Sequence, residues 1–122
     1  MDKVFINNLS VETIIGIYDW EREVKQEVLL DLTMAWDNKP AAQSENIELA
    51  LNYKAVSDRL LEFVGGSEFL LVETMAEAVA DILLHEFHVT WLRLRVTKPH
   101  AIPQARGVGV EIERGQSQVL DK

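Results

Sequence analysis

Val28-Leu-Leu-Asp-Leu-Thr-Met-Ala-Trp36 alternates in the manner of a strand. Val28, Leu30, Leu32, Met34 and Trp36 fall on one face of an extended chain, with Asp31, Thr33 and Ala35 on the other. Asp37-Asn38-Lys39-Pro40 stops the pattern. Upstream, Lys3 to Ile17 is rich in β-branched residues and carries no helical stripe, so it reads as one long or interrupted strand. Asn7-Asn8 marks a bulge or tight bend within it, and Gly16 ends it. Tyr18-Asp19-Trp20-Glu21 follows as a loop.

Downstream the period changes. Residues 40–52 look irregular, with room for one short helical turn. Asn52 suits the N-cap of a helix from Tyr53 to about Val64, with Val56, Leu60 and Val64 at helical spacing and Gly65-Gly66 as its terminator. A second helix is expected from Val72 to His85 or Phe87. Its apolar stripe is Val72, Met75, Ala76, Val79, Ile82 and Leu83, opposite Glu73, Glu77 and Asp81. Two alternating strands follow. Trp91–Thr97 turns Leu92, Leu94 and Val96 inward, and Gly107–Glu113 does the same with Val108, Val110 and Ile112. A single domain over residues 1–115 is expected, with a polar, frayed tail at 116–122.

The order ββααββ implies an α+β fold, a four-stranded antiparallel sheet with two helices on one face. Such a sheet leaves two edges with unpaired backbone groups and one face without helices. Trp20, Trp36 and Trp91 are many large aromatics for so small a core. A homo-oligomer that pairs edges and covers the second face resolves all three points.

The 122 residues are 48% hydrophobic, enough for one well-buried core. Twelve Lys and Arg against 20 Asp and Glu give a net charge of −8, which argues against a nucleic-acid partner and against an anionic membrane surface. No Cys is present, which removes disulfides, thiol nucleophiles and Cys-zinc sites together. Apolar runs such as Phe69 to Val72 are far shorter than the roughly 20 residues of a membrane span. Asp2 and the short Val4–Ile6 run do not read as a signal segment, so a soluble, cytoplasmic protein is expected.

No Gly-rich phosphate loop and no Gly-x-Ser-x-Gly elbow is present. His85 and His88 are three apart, without a third metal ligand at sensible spacing, and read as surface histidines at a helix end; no metal site is expected. Lys98 continues the inward parity of Leu92, Leu94 and Val96. It either snorkels out at the strand end or is a working amine. Glu73 lies in the first turn of the second helix among Leu70, Leu71 and Val72, where it complements the helix dipole or holds a ligand. Tyr53 alone reads as a packing aromatic, and Glu21 alone as a solvated loop acid.

Five motifs occur in order: Tyr18-Asp19-Trp20-Glu21, Met34-Ala35-Trp36-Asp37-Asn38, Leu51-Asn52-Tyr53, Leu71-Val72-Glu73 and Thr97-Lys98-Pro99. Together they resemble dihydroneopterin aldolase of bacterial folate biosynthesis, over residues 2 to about 115. The resemblance implies a tunnelling fold, in which four subunits join edges into a barrel and two barrels stack into an octamer, with sites between neighbours. It implies a pterin substrate anchored by Glu73 and by the main chain at Val72, with Lys98 as general acid/base. Glu21 would lie near the reacting side chain, and Tyr53 would come from the neighbouring subunit. The reaction implied is retro-aldol cleavage of 7,8-dihydroneopterin, with C2′ epimerisation alongside. The dihydropterin's own C=N serves as electron sink, so no cofactor, metal or Schiff base is implied. The alternative within the family is dihydroneopterin triphosphate epimerase, for which Arg22, Lys25 and Arg106 are candidate phosphate contacts. The alternative of another class is a non-catalytic, barrel-forming assembly module. His100 has no assigned role.

Overall fold

In the computed structural model, which describes residues 1–116, the four strands form one antiparallel sheet in the order β1-β2-β3-β4. The strands are β1 (Lys3–Thr13), β2 (Gln26–Ala35), β3 (Trp91–Lys98) and β4 (Val108–Gly115). Between β2 and β3 come a short helix α1 (Lys39–Ser44), a 3-10 turn at Ile47–Leu49, and the helices α2 (Tyr53–Gly65) and α3 (Val72–Glu86). The irregular stretch after β2 thus holds α1, in which Pro40 sits in the first turn, where its missing N–H is harmless. None of the described helices is long and apolar enough to cross a membrane.

The inward faces follow the alternation. Val28, Leu30, Leu32 and Met34 of β2 and Leu92, Leu94 and Val96 of β3 are fully buried beneath α2 and α3. Trp36, one residue past β2, only half-covers the core and donates its Nε1–H to the Leu49 carbonyl at 3.1 Å. Helix α2 lies over β1, and α3 over β3 and β4. Asn52 caps α2 as expected, its side chain accepting from the Ala55 N–H at 3.0 Å. The α3 stripe buries Met75, Ala76, Val79, Ala80, Ile82 and Leu83. Val72, expected in that stripe, is only half-buried because it opens the helix at the edge of a cleft. His88 follows α3 at φ +58°, and the Val89 N–H returns to the Leu83 carbonyl at 3.2 Å, closing the helix end.

Asn7-Asn8 is a bulge. The pairing steps from Ile6↔Leu32 to Leu9↔Leu30, so two residues of β1 stand against Asp31 alone. Asn8 takes φ +55°, and its N–H donates to the Asp31 carboxylate at 2.8 Å. The bulge switches the parity of β1, which keeps Val4 and Ile6 before it, and Leu9 and Val11 after it, on the core side.

The last described residues, Gly115 and Gln116, are tied to the start of β3. Gly115 pairs with Trp91 as part of β4, and the Gln116 N–H donates to the Thr90 carbonyl at 2.8 Å. The rest of the expected tail, 117–122, lies outside the described residues. Strands β1 and β4 are the sheet edges, and the face away from the helices is polar, carrying Asp31, Thr33, Arg93, Arg95 and Glu111.

Candidate active site

The Tyr18–Glu21 segment is a turn with a purpose. Residues Asp19–Arg22 wind into one turn of 3-10 helix, closed by the Glu21 N–H to the Tyr18 carbonyl at 2.9 Å. The tight pitch points Glu21 back under the chain, where it is 4% exposed. Its reading as a solvated loop acid is therefore overturned. Oε1 accepts from the Tyr18 N–H at 3.2 Å, and Oε2 accepts from Gln26 Nε2 at 3.0 Å and from Lys98 Nζ at 2.8 Å. Burial alone pushes the Glu21 carboxyl up. The hydrogen bonds from Lys98, Gln26 and Tyr18, with the Lys98 charge, outweigh it and bring the group down from 4.5 to about 2.

Gly16 makes room for this carboxylate. It has φ +127°, and a β-carbon there would fall on the Glu21 carboxyl group. Lys98 ends β3 with the inward parity expected of it, and its side chain is 16% exposed. It turns to Glu21 in preference to solvent.

Glu21 and Lys98 open on a cleft of about 300 Å³ whose other end is the start of α3. There Leu70, Leu71, Val72 and Glu73 line the wall. Glu73 is exposed, in the first turn of the helix, beside amides that have no partner within the helix. The structure thus gathers Glu21, Lys98, Val72 and Glu73 around one space. Tyr53, at the start of α2, is 63% exposed and does not line that space within its own chain.

The family model for dihydroneopterin aldolase matches residues 4–113. An Escherichia coli (strain K12) dihydroneopterin aldolase is 45% identical over 96% of both chains. The chain belongs to the dihydroneopterin aldolase family. The crystal structure of an E. coli dihydroneopterin aldolase in complex with neopterin superposes with a TM-score of 0.92 at 46% identity, covering 94% of this chain and all of that one. A dihydroneopterin triphosphate 2′-epimerase of Pseudomonas aeruginosa is more distant, 30% identical over 92% of this chain and 91% of its own.

Within this dihydroneopterin aldolase fold, the three candidate phosphate contacts are scattered. The Arg22 guanidinium is taken up by backbone carbonyls of Gly16, Glu68 and Phe69. Arg106 lines a separate depression on the polar face of the sheet. Lys25 lies nearby, in a second hollow that shares Trp20, Gln26, Lys98 and His100 with the cleft. His100 is an exposed rim residue, 3.5 Å from Glu27. His85 binds the Asp81 carbonyl through Nδ1 at 2.9 Å, on the last turn of α3, and His88 lies beyond the helix. Sequence reasoning passed over Gln26, which holds both Glu21 and the Ile15 carbonyl, the latter at 2.8 Å. It opens β2 just before the alternating run, and nothing in its local pattern marks it.

Proposed function

We propose that this chain splits 7,8-dihydroneopterin into 6-hydroxymethyl-7,8-dihydropterin and glycolaldehyde. The observation that carries this reading is the buried Glu21–Lys98 pair opening on the same cleft as Glu73. A pterin presents an amino group and a ring N–H side by side, and the Glu73 carboxylate accepts both in a charge-assisted fork. Main-chain amides at Val72 hold the ring edge next to it. The side chain of the substrate then extends towards Lys98 and Glu21.

A proton leaves the 2′-hydroxyl with Lys98 as acid/base, directly or through water. The C1′–C2′ bond breaks, C2′ becomes the aldehyde carbon of glycolaldehyde, and the electron pair passes into the dihydropterin C=N. Reprotonation at C1′ gives the hydroxymethyl product. Because the substrate is its own electron sink, this chemistry calls for neither an imine on Lys98 nor a metal ion. Re-addition of glycolaldehyde to the opposite face before it escapes gives the C2′ epimer.

The open end of the cleft supports an assembly. Glu73 is exposed in one chain, flanked by exposed Leu70 and Leu71, with Trp20 58% exposed across the cleft. In the assembly we propose, edges β1 and β4 of neighbouring chains pair to close a barrel of four subunits, doubled to eight by stacking. Tyr53 from a neighbour then completes the site. The cysteine-free, acidic composition suits a reducing cytoplasm.

A chromatographic product assay with dihydroneopterin and its triphosphate side by side tests the reading. The expected result is hydroxymethyl-dihydropterin from the first and little turnover of the second. Dominant epimerisation of the triphosphate, or no turnover at all, rejects it. Light scattering should report four or eight chains; a fully active monomer would rule out the shared site.

A further inference from the structure

Arg22 is half-buried at the end of the 3-10 turn that carries Glu21. Its Nη1 donates to the carbonyls of Gly16 at 2.8 Å and Phe69 at 3.1 Å, and its Nη2 donates to the Glu68 carbonyl at 2.6 Å. Gly16 stands on the β1–β2 connection, beside the Glu21 carboxylate. Glu68 and Phe69 stand on the α2–α3 connection, which runs straight into Leu71, Val72 and Glu73. The main chains of these two lips also meet where the Gly16 N–H reaches the Phe69 carbonyl, at a long 3.3 Å. One guanidinium therefore bonds both lips of the cleft at once. No other side-chain type offers so many donors in a rigid fork.

We propose that Arg22 is a positioning residue that fixes the span between the Glu21–Lys98 pair and the Glu73 anchor. The inference rests on the aldolase reading. Holding the pterin ring needs only the anchor end of the cleft. Cleaving the side chain needs the ring on Glu73 and the 2′-hydroxyl at Lys98 at the same time. The span between the two ends then governs turnover more than ring affinity, and a misplacement of about 1 Å can lower a rate on the order of a hundredfold.

The test compares wild type, Arg22→Ala and Arg22→Lys as full chains. Two quantities are measured: kcat for 7,8-dihydroneopterin, and Kd for 6-hydroxymethyl-7,8-dihydropterin, which keeps the ring and lacks the cleaved carbons. Expected for Arg22→Ala is a kcat loss of roughly ten- to a hundredfold, with Kd for the product little changed. Arg22→Lys should fall in between, since an ammonium cannot match the planar fork. Added methylguanidinium should restore turnover to Arg22→Ala and leave wild type unaffected. A kcat close to wild type in both variants overturns the inference. So does a parallel loss of kcat and product affinity without rescue, which is what an arginine serving general stability would give. If Arg22→Ala does not fold, the same kcat-against-Kd comparison in Arg22→Lys decides, with equal losses counting against the inference. A wild-type chain without turnover removes the aldolase reading itself, whereas an active wild type with unaffected variants removes only the role of Arg22.

Discussion

The two ends of the cleft are built in opposite ways. At the Glu21 end every partner comes from the same chain. The carboxylate is buried, has three donors on it, and sits over a glycine at which any side chain would displace it. At the Glu73 end the carboxylate is exposed and flanked by exposed leucines. The first end is pre-organised by hydrogen bonds within the chain. On the proposed function, the second is half a site, completed by a ring with donors and by a wall from a neighbouring chain. On that reading, the reaction chemistry belongs to the folded chain, while recognition also draws on what closes over it.

The strongest way to break this contrast is to remove the amine at the finished end. Lys98→Ala should lower turnover by roughly 10²–10⁴-fold, the range for a lost general acid/base. Neopterin binding, measured by calorimetry, should change far less because Glu73 is untouched. Turnover within a few-fold of wild type would mean that Lys98 only neutralises Glu21. Borohydride added during turnover should leave the protein mass unchanged, and a trapped adduct would reject the imine-free route.

At the unfinished end, Glu73→Gln places a donor against the donors of the ring. Loss of a charged hydrogen bond plus a mismatched polar group amounts to about 3 kcal/mol in binding. Thermal stability should change little, because the carboxylate is exposed and makes no hydrogen bond or ion pair among the described residues. Near-normal affinity would place the anchor elsewhere.

Acid separates the ends without mutating either. Glu21 has its folded-state pKa lowered to about 2 from 4.5. Its contribution to stability is complete above about pH 4.5 and is lost as pH falls towards 2. The full shift corresponds to at most about 3 kcal/mol. Urea midpoints taken from pH 6 down to pH 3 should therefore fall in wild type and fall less in Glu21→Gln. Parallel slopes would show that the pair does not stabilise the fold. The smallest change sharpens the comparison further. Gly16→Ala should destabilise by about 1–3 kcal/mol through its positive φ and by displacing Glu21. Its activity loss should exceed what the fraction unfolded explains.

Local pattern made most of the fold legible. Alternation marked β2, β3 and β4, β-branched content marked β1, Asn52 marked a helix start, and parity alone turned Lys98 inward. Glu21 escaped the same reading because its partner is 77 residues away, and burial of a loop acid is decided by tertiary contact. Gln26 and Arg22 escaped for a related reason. Arg22 bonds only backbone carbonyls and Gln26 one carbonyl as well as Glu21, and since every residue has a carbonyl, no spacing announces them. The 3-10 turn at Asp19–Arg22 read as a loop because a single tight turn shows no periodicity. The family resemblance singled out Glu21 through the order of five short motifs, but it did not mark Gln26 or the bridging bonds of Arg22.

The bulge at Asn7-Asn8 makes β1 tolerant of a change in length at one place. Anywhere else in the strand, dropping one residue would turn every later side chain to the wrong face. At the bulge the extra residue already absorbs that shift, so a chain shortened by one there keeps Val4, Ile6, Leu9 and Val11 facing the helices. What changes is the bend, since a bulge curves the strand that carries it. Asn7-Asn8 is therefore the position at which a single-codon deletion can alter the curvature of the sheet edge while leaving the core composition intact.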